Sequence, residues 1–260
     1  MDGTPLTYPE ELQRYLENDA LPGVAAQRRL APVARFGGDY DPMPPTARRA
    51  AVLMLLFPSS RTAPAASARH LEEPARRGSS WHAAQTGWWR HQGPQAEPAE
   101  PAWSTPEIVL IERPHDGSPH AGEIALPGGA HEGDEAFPQE TALREAWEEV
   151  GVPGEFVTVL GALTPLYVPV SNFSVVPIVG AARELPDMAA QPEEVAAIHT
   201  APLATFGQEP TERELHIRGE VRRAPGYLFG PHFIWGATAM MLAELVEVDR
   251  AVRARLAASE

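Results

Sequence analysis

The sequence predicts an α/β fold in which a mixed β-sheet lies between helices (α/β/α). Three observations carry this expectation. Two apolar runs of strand length, Ala50 to Phe57 and Glu107 to Arg113, come first. A strongly punctuated helix over Pro138 to Val150 follows. Short strand-like runs and a closing helix over Ala237 to Leu256 complete the chain. Strands on both sides of one helix, with a second helix at the end, bury both faces of a sheet.

In chain order, Thr7-Tyr8-Pro9-Glu10 reads as a helix start, because Thr7 can cap the backbone and Glu10 can reach back to it. Leu12, Tyr15 and Leu16 then share one helical face. Ala50 to Phe57 is a continuous apolar run of strand length and reads as a buried strand, although periodicity alone does not exclude a helix. Residues 59–104 change character, being rich in Pro, Ala, Ser, Arg, Gln and Glu without a sustained period. They read as a flexible insertion. Trp81, Trp88, Trp89 and Trp103 fall within it, so part of it is expected to dock, most simply on the protein itself. In the central helix, Leu143, Trp147 and Val150 form an apolar stripe expected to face the core. Gly151 is placed to end that helix in a left-handed conformation, and Pro153 prevents continuation. Strands are expected at Phe156 to Leu160, Phe173 to Val179, Ala196 to Thr200, Glu214 to Ile217 and Tyr227 to Phe229.

Composition excludes several chemistries. All 21 basic residues are Arg, against 35 acidic residues, for a net charge of −14. This balance opposes binding to nucleic acid or to an anionic membrane. Without Lys there is no Walker A phosphate loop and no Schiff-base chemistry. Without Cys there is no disulfide, thiolate zinc site or cysteine nucleophile. No apolar run is long enough to span a bilayer, and Met1 to Pro5 does not begin a signal peptide. A cytoplasmic location is therefore expected.

The chemistry-bearing stretch is Leu126 to Val152. Glu145, Glu148 and Glu149 stand at i, i+3 and i+4, so their carboxylates are expected to share one helix face. Like charges this close repel, and a hard divalent cation such as Mg²⁺ or Mn²⁺ relieves them while sharing its remaining positions with phosphate oxygens. Arg144 precedes Glu148 by four residues and can hold it by an ion pair. A Gly-Gly turn at Gly128-Gly129 lets backbone approach a metal or phosphate closely. His115, His120 and His131 lie nearby, but no HExxH spacing occurs and the Glu array suits a harder ion than zinc.

Gly129, Glu135, Arg144, Glu145, Ala146, Glu148, Glu149, Gly151 and Val152 follow, in order, the Nudix box of hydrolases that cleave a nucleoside diphosphate linked to another moiety. Eight residues separate Glu135 from Arg144 where the general pattern has seven. That expansion resembles the coenzyme A pyrophosphatase branch. Val109-Leu110-Ile111-Glu112-Arg113 and His120 to Gly129 resemble the upstream signature of the branch, with Leu126 in place of Phe and without the second Arg of the loop. Leu166 to Phe173 and Ile234 to Ala239 also look like that branch.

The resemblance implies a Nudix fold and hydrolysis of the phosphoanhydride of coenzyme A or acyl-coenzyme A, to 3′,5′-ADP and (acyl-)4′-phosphopantetheine. Alternatives are another nucleoside diphosphate derivative (an ADP-sugar, NADH or a dinucleoside polyphosphate) or a non-catalytic binding scaffold. The resemblance further implies Glu145, Glu148, Glu149 and the Gly129 carbonyl as ligands of Mg²⁺ or Mn²⁺. Glu148 is either a third ligand or a water-orienting base. Arg144 orients the cluster, and Glu193 or Glu194 on a later loop is the alternative base, Glu194 being preferred. Arg113, Gly128 and Glu135 fall to substrate binding. A homodimer is the family-level expectation. The domain reading is a helical extension over 1–35, a Nudix domain over 36–248 containing the 59–104 insertion, and a helix end and tail over 249–260.

Overall fold

The computed structural model describes residues 6–32, 43–59, 103–118, 120–217 and 220–259. Helix α1 spans Tyr8–Asn18, and the capping box between Thr7 and Glu10 is formed. Helix α2 is Gly23–Arg28. Strands β1 (Arg48–Pro58), β2 (Pro106–Glu112), β3 (Ile124–Ala125) and β4 (Gly128–Ala130) lead into helix α3, Gln139–Val150. Strands β5 (Thr158–Ala162), β6 (Leu166–Val168), β7 (Phe173–Ala181) and β8 (Ala197–Pro202) follow. A hairpin and its partner, β9 (Thr211–Ile217), β10 (Glu220–Phe229) and β11 (His232–Trp235), precede the closing helix α4, Gly236–Ser259.

The first eight strands form one mixed sheet of order β3-β2-β1-β7-β5, with β4 on β1, β6 on β7 and β8 on β2; β11-β10-β9 form a second, three-stranded sheet. Strand β1 is the centre. It runs parallel to β7 and antiparallel to β2 and β4. Parallel partners need a long crossover, and α3 lies on the one that joins β1 to β7. The continuous apolar run in β1 is explained by burial of both its faces. Leu53, Leu55 and Phe57 point to one core with Ala142, Ala146 and Val150 of α3. Met54 and Leu56 point to the other core, with α1, α4 and the small sheet. Strand β2 alternates likewise, Val109 and Ile111 toward α3, Ile108 and Leu110 toward α4.

Two expectations need correction. Phe156 does not begin a strand: it ends a 3₁₀ turn, Gly154–Phe156, and is 61% exposed, and the strand starts at Thr158. Trp147 is not a core residue of α3, being 41% exposed. The packed face carries Ala142 and Ala146, whose small side chains let the helix approach β1 closely. At about 100° per residue, Trp147 falls outside that arc and Leu143 at its edge. The closing helix expected over Ala237 to Leu256 is present and runs to Ser259. Most of the 59–104 insertion, including Trp81, Trp88 and Trp89, lies outside the described residues. Trp103 is described, and its ring stacks on Tyr8 with centroids 5.7 Å apart.

The N-terminal helices are part of the body. Leu12 is fully buried in the α4-side core. The Tyr8 hydroxyl donates to Asp249 of α4 at 2.6 Å, and Arg255 donates to Asp19 at 2.8 Å. The buried Glu244 carboxylate accepts from the Gly23 amide (3.1 Å), the Thr164 amide (3.2 Å) and Gln27 Nε2 (2.8 Å). A buried carboxylate supplied with three donors ties α2, α4 and the β5–β6 turn together without an exposed charge partner. Among the described residues, no helix is long and apolar enough to cross a membrane. Leu12→Ala should destabilise the protein by about 2–5 kcal/mol in urea unfolding; a change below about 0.5 kcal/mol would mean that α1 is only loosely attached.

Candidate active site

The site forms where α3 crosses β4. Gly151 takes φ 71° and ends α3, as its position predicts. Glu145 and Glu149 lie one turn apart on the helix and are 9% and 5% exposed. Both face the Gly128-Gly129 strand. The Gly128 amide donates to Glu149 Oε2 at 2.8 Å. A Cβ at Gly129 would collide with the Glu145 carboxyl carbon and both its oxygens. A Cβ at Gly128 would strike the backbone of Ala51 and Val52, and φ there is 154°. Glycine at 129 thus leaves room for the Glu145 carboxyl, and glycine at 128 lets β4 pair closely with β1.

Glu148 does not join them. Its side chain is half exposed and accepts from Arg144 Nη1 at 2.6 Å. The expectation of three carboxylates on one face is corrected here. Glu148 is turned about 100° around the helix from Glu149, and Arg144 holds it on the solvent side. The pair formed by Arg144 and Glu148 stands as the spacing predicts.

Arg144 is the hub of the site. Its Nε donates to Glu135 Oε2 at 2.9 Å, and its Nη2 donates to the Ala130 carbonyl and to Glu145 Oε1, both at 2.9 Å. Glu135 also accepts from the Glu132 amide at 2.9 Å and the Thr141 hydroxyl at 2.8 Å. Burial opposes its ionisation, yet the Arg144, Glu132 and Thr141 donors hold its pKa down at about 2. Glu135 is therefore committed to fastening the 130–137 loop over the start of α3. That differs from the substrate contact expected of it: its acceptor sites are already taken by the protein. The hydrogen bond to Glu135 and the charges of Glu145 and Glu148 in turn hold the Arg144 guanidinium protonated, against the pull of burial.

The two buried carboxylates have the opposite electrostatics. Burial raises Glu149 to about 8, eased by the Gly128 amide and reinforced by the charges of Glu145 and Glu194. Burial also raises Glu145, with Arg144 opposing and Glu148 and Glu194 adding to it. The exposed Glu194 is thus within electrostatic reach of both, and Arg113 within reach of Glu149. Glu193, its sequence neighbour, is also exposed. Two acids pushed toward their protonated forms by burial and by neighbouring charge, beside a strand stripped of side chains, make a donor set whose carboxylate form a hard divalent ion would favour. The residues present fit a hard divalent ion, with Glu145 and Glu149 as the oxygen donors at hand.

The three histidines near the motif are engaged elsewhere. His131 Nδ1 lies 3.3 Å from Glu135 Oε1, His120 Nδ1 lies 3.0 Å from Glu123, and His115 Nε2 lies 2.8 Å from Glu112. Sequence reasoning missed His199 and His232, which converge on Glu112 from β8 and β11. They are far apart in sequence, and no spacing rule connects them.

The raised pKa of Glu149 has a measurable consequence in chelator-treated protein. The folded state holds a proton that the unfolded chain, at 4.5, releases. The stability contributed is full below 4.5 and is lost as pH rises through about 8. Unfolding free energy should therefore fall across that window, and Glu149→Gln should flatten the fall. An identical pH dependence in the variant would mean that Glu149 ionises normally.

The NUDIX domain profile matches residues 103–218. The chain is 38% identical over 143 residues to a Nudix hydrolase NudL of Pectobacterium atrosepticum, covering 54% of this chain and 74% of the relative. It is 39% identical over 145 residues to the NudL protein of Cronobacter sakazakii, covering 54% and 73%. Among solved structures, the Nudix hydrolase RenU of M. smegmatis aligns with a TM-score of 0.42 at 15% identity, over 79% of this chain and 87% of that one. With the Gly129-to-Val152 motif assembled on α3 and the sheet of the fold around it, the chain belongs to the Nudix hydrolase family.

Proposed function

We propose that this hydrolase cleaves the phosphoanhydride of coenzyme A or an acyl-coenzyme A, releasing 3′,5′-ADP and (acyl-)4′-phosphopantetheine. The observation that carries the hydrolytic part is the buried Glu145–Glu149 pair against Gly129. The substrate rests on the resemblance of Val109 to Arg113, His120 to Gly129 and Leu166 to Phe173 to the coenzyme A branch, and on the eight-residue spacing from Glu135 to Arg144. The loop between Arg113 and Gly122 lacks the second Arg of that branch, which keeps an ADP-sugar, NADH or a dinucleoside polyphosphate as the second reading.

Glu145, Glu149 and the Gly129 carbonyl would hold Mg²⁺ or Mn²⁺, with exposed Glu148 available to a further ion. Such an ion, when bound, neutralises charge developing on phosphoryl oxygens and acidifies water. The residues supply the rest. Arg144 fixes the orientation of Glu145 and Glu148. Arg113, exposed at the end of β2, pairs with a diphosphate oxygen, a role suited to its planar fork. Gly128, whose missing side chain lets β4 pair closely with β1, would bring its main chain to the diphosphate. Glu194 would accept the proton of the attacking water, since it is exposed and within electrostatic reach of the pair while Glu145 and Glu149 are occupied. A homodimer in the cytoplasm is the working form that the family resemblance supports, and light scattering on the purified protein tests the dimer.

The deciding experiment is turnover of coenzyme A, acetyl-coenzyme A, ADP-ribose, NADH and diadenosine tetraphosphate with Mg²⁺ and with Mn²⁺, products identified by mass. Coenzyme A should yield two products whose masses sum to coenzyme A plus one water. The coenzyme A reading fails if both thiol compounds survive while another diphosphate is split. Glu149→Gln should lose most turnover with its far-ultraviolet circular dichroism unchanged, and absence of turnover in the wild-type protein toward every compound would favour a binding scaffold. Glu194→Gln should lower kcat by about 10²–10⁴-fold if Glu194 is the base, whereas a drop under about threefold would return that role to Glu148.

A further inference from the structure

On the other face of β2 from α3, three side chains from three strands meet. Glu112 ends β2, and by strand alternation its side chain lies on the side of Leu110, away from Val109, Ile111 and α3. His199 on β8 and His232 on β11 reach the same point. Glu112 Oε2 lies 3.1 Å from His199 Nε2 and 3.8 Å from His232 Nε2. One ligand atom from each of the three lies within 4.8 Å of the other two, and among the described residues no other group of His, Cys, Asp and Glu does this. Glu112 and His199 are 9% and 2% exposed, while His232 is partly exposed and leaves an approach from solvent.

We propose that Glu112, His199 and His232 bind a divalent transition-metal ion of the zinc class, at a site separate from the Glu145–Glu149 pair. Two imidazoles and one carboxylate are a zinc-type donor set, and imidazole disfavours Mg²⁺. Ligands about 2.0–2.2 Å from a tetrahedral ion stand roughly 3.3–3.6 Å from one another, and the separations of 3.1 and 3.8 Å bracket that value. The distance of 3.8 Å is too long for a direct hydrogen bond, so His232 is brought to the carboxylate without being bonded to it. The surroundings match a metal centre too. The ring of Phe229 lies against His199 and His232, with centroids at 5.7 and 6.3 Å, giving an apolar wall. His115 Nε2 engages the second oxygen of Glu112 at 2.8 Å and acts as the outer partner that orients the carboxylate. Three protein ligands leave a fourth position for water. Because β2 and β8 belong to the large sheet and β11 to the small one, the ion cross-links the two sheets.

The test uses the full chain, stripped with chelator and returned to millimolar magnesium so that the Glu145–Glu149 site is filled. Cobalt(II) titrated into this protein should bind with one-to-one stoichiometry and develop the visible absorption of four-coordinate Co²⁺; zinc should bleach it. His232→Asn should weaken this binding by about tenfold or more, while Glu149→Gln should leave it intact. In the wild-type cobalt protein, hyperfine-shifted imidazole N–H resonances should report two ligating histidines, a readout that needs no variant to fold. The proposal is overturned if no cobalt binds under magnesium, if no shifted imidazole resonances appear, or if Glu149→Gln abolishes the binding that His232→Asn leaves unchanged. None of these readouts depends on turnover, so failure here is distinct from failure of the hydrolase assignment.

Discussion

Two carboxylates that would repel in water are held together out of it. Glu145 and Glu149 are packed by one turn of α3 against a strand without side chains, and burial drives both toward the protonated form. This arrangement is unfavourable by itself, since desolvating a carboxyl disfavours its charge and a neighbouring charge adds to the cost. Everything around it supports the strain. Central strand β1 fixes β4, small Ala142 and Ala146 let α3 sit close to β1, and the absence of a Cβ at Gly129 leaves room for the carboxyl group. A larger residue at any of these places would separate the helix from the strand and return the acids to solvent.

Arg144 converts this packing into a defined orientation. One guanidinium is shared by Glu135, Glu145, Glu148 and the Ala130 carbonyl. A planar fork with five donors can serve several acceptors at once, where a Lys could not. The same hub pins the 130–137 loop to the helix, so the loop is a fixed wall of the site. It also divides the acidic residues by role: Glu135 is held ionised and structural, Glu148 is drawn outward, and Glu145 and Glu149 remain inside.

The opposite face of the sheet carries the rest of the stability. There α1, α2 and α4 bury Leu12, Met54, Leu56 and Leu166, and the buried Glu244 is satisfied by backbone and amide donors. Strand β2 serves both faces. Its odd-numbered residues pack on α3, its even-numbered ones lead to Glu112 and its histidines, and Arg113 follows within electrostatic reach of Glu149. Substitutions in one strand thus reach two chemically different clusters.

The sequence by itself determined the fold class, the central helix with its Gly151 stop, the capping box at Thr7, the buried strand at Ala50 to Phe57 and the family motif. Each is written in local periodicity or in a fixed spacing, and neighbours along the chain suffice to read it. Tertiary structure alone decided which acids are inside. Glu145, Glu148 and Glu149 are the same residue type within five positions of one helix, and which part of that arc is buried is set by where β1 and β4 lie and by the pull of Arg144. The same holds for Trp147, apolar in composition yet left at the surface by the angle of the helix. His199 and His232 reach Glu112 only because β8 and β11 fold onto the end of β2, a juxtaposition made by strand pairing across long stretches of chain, which no local pattern encodes.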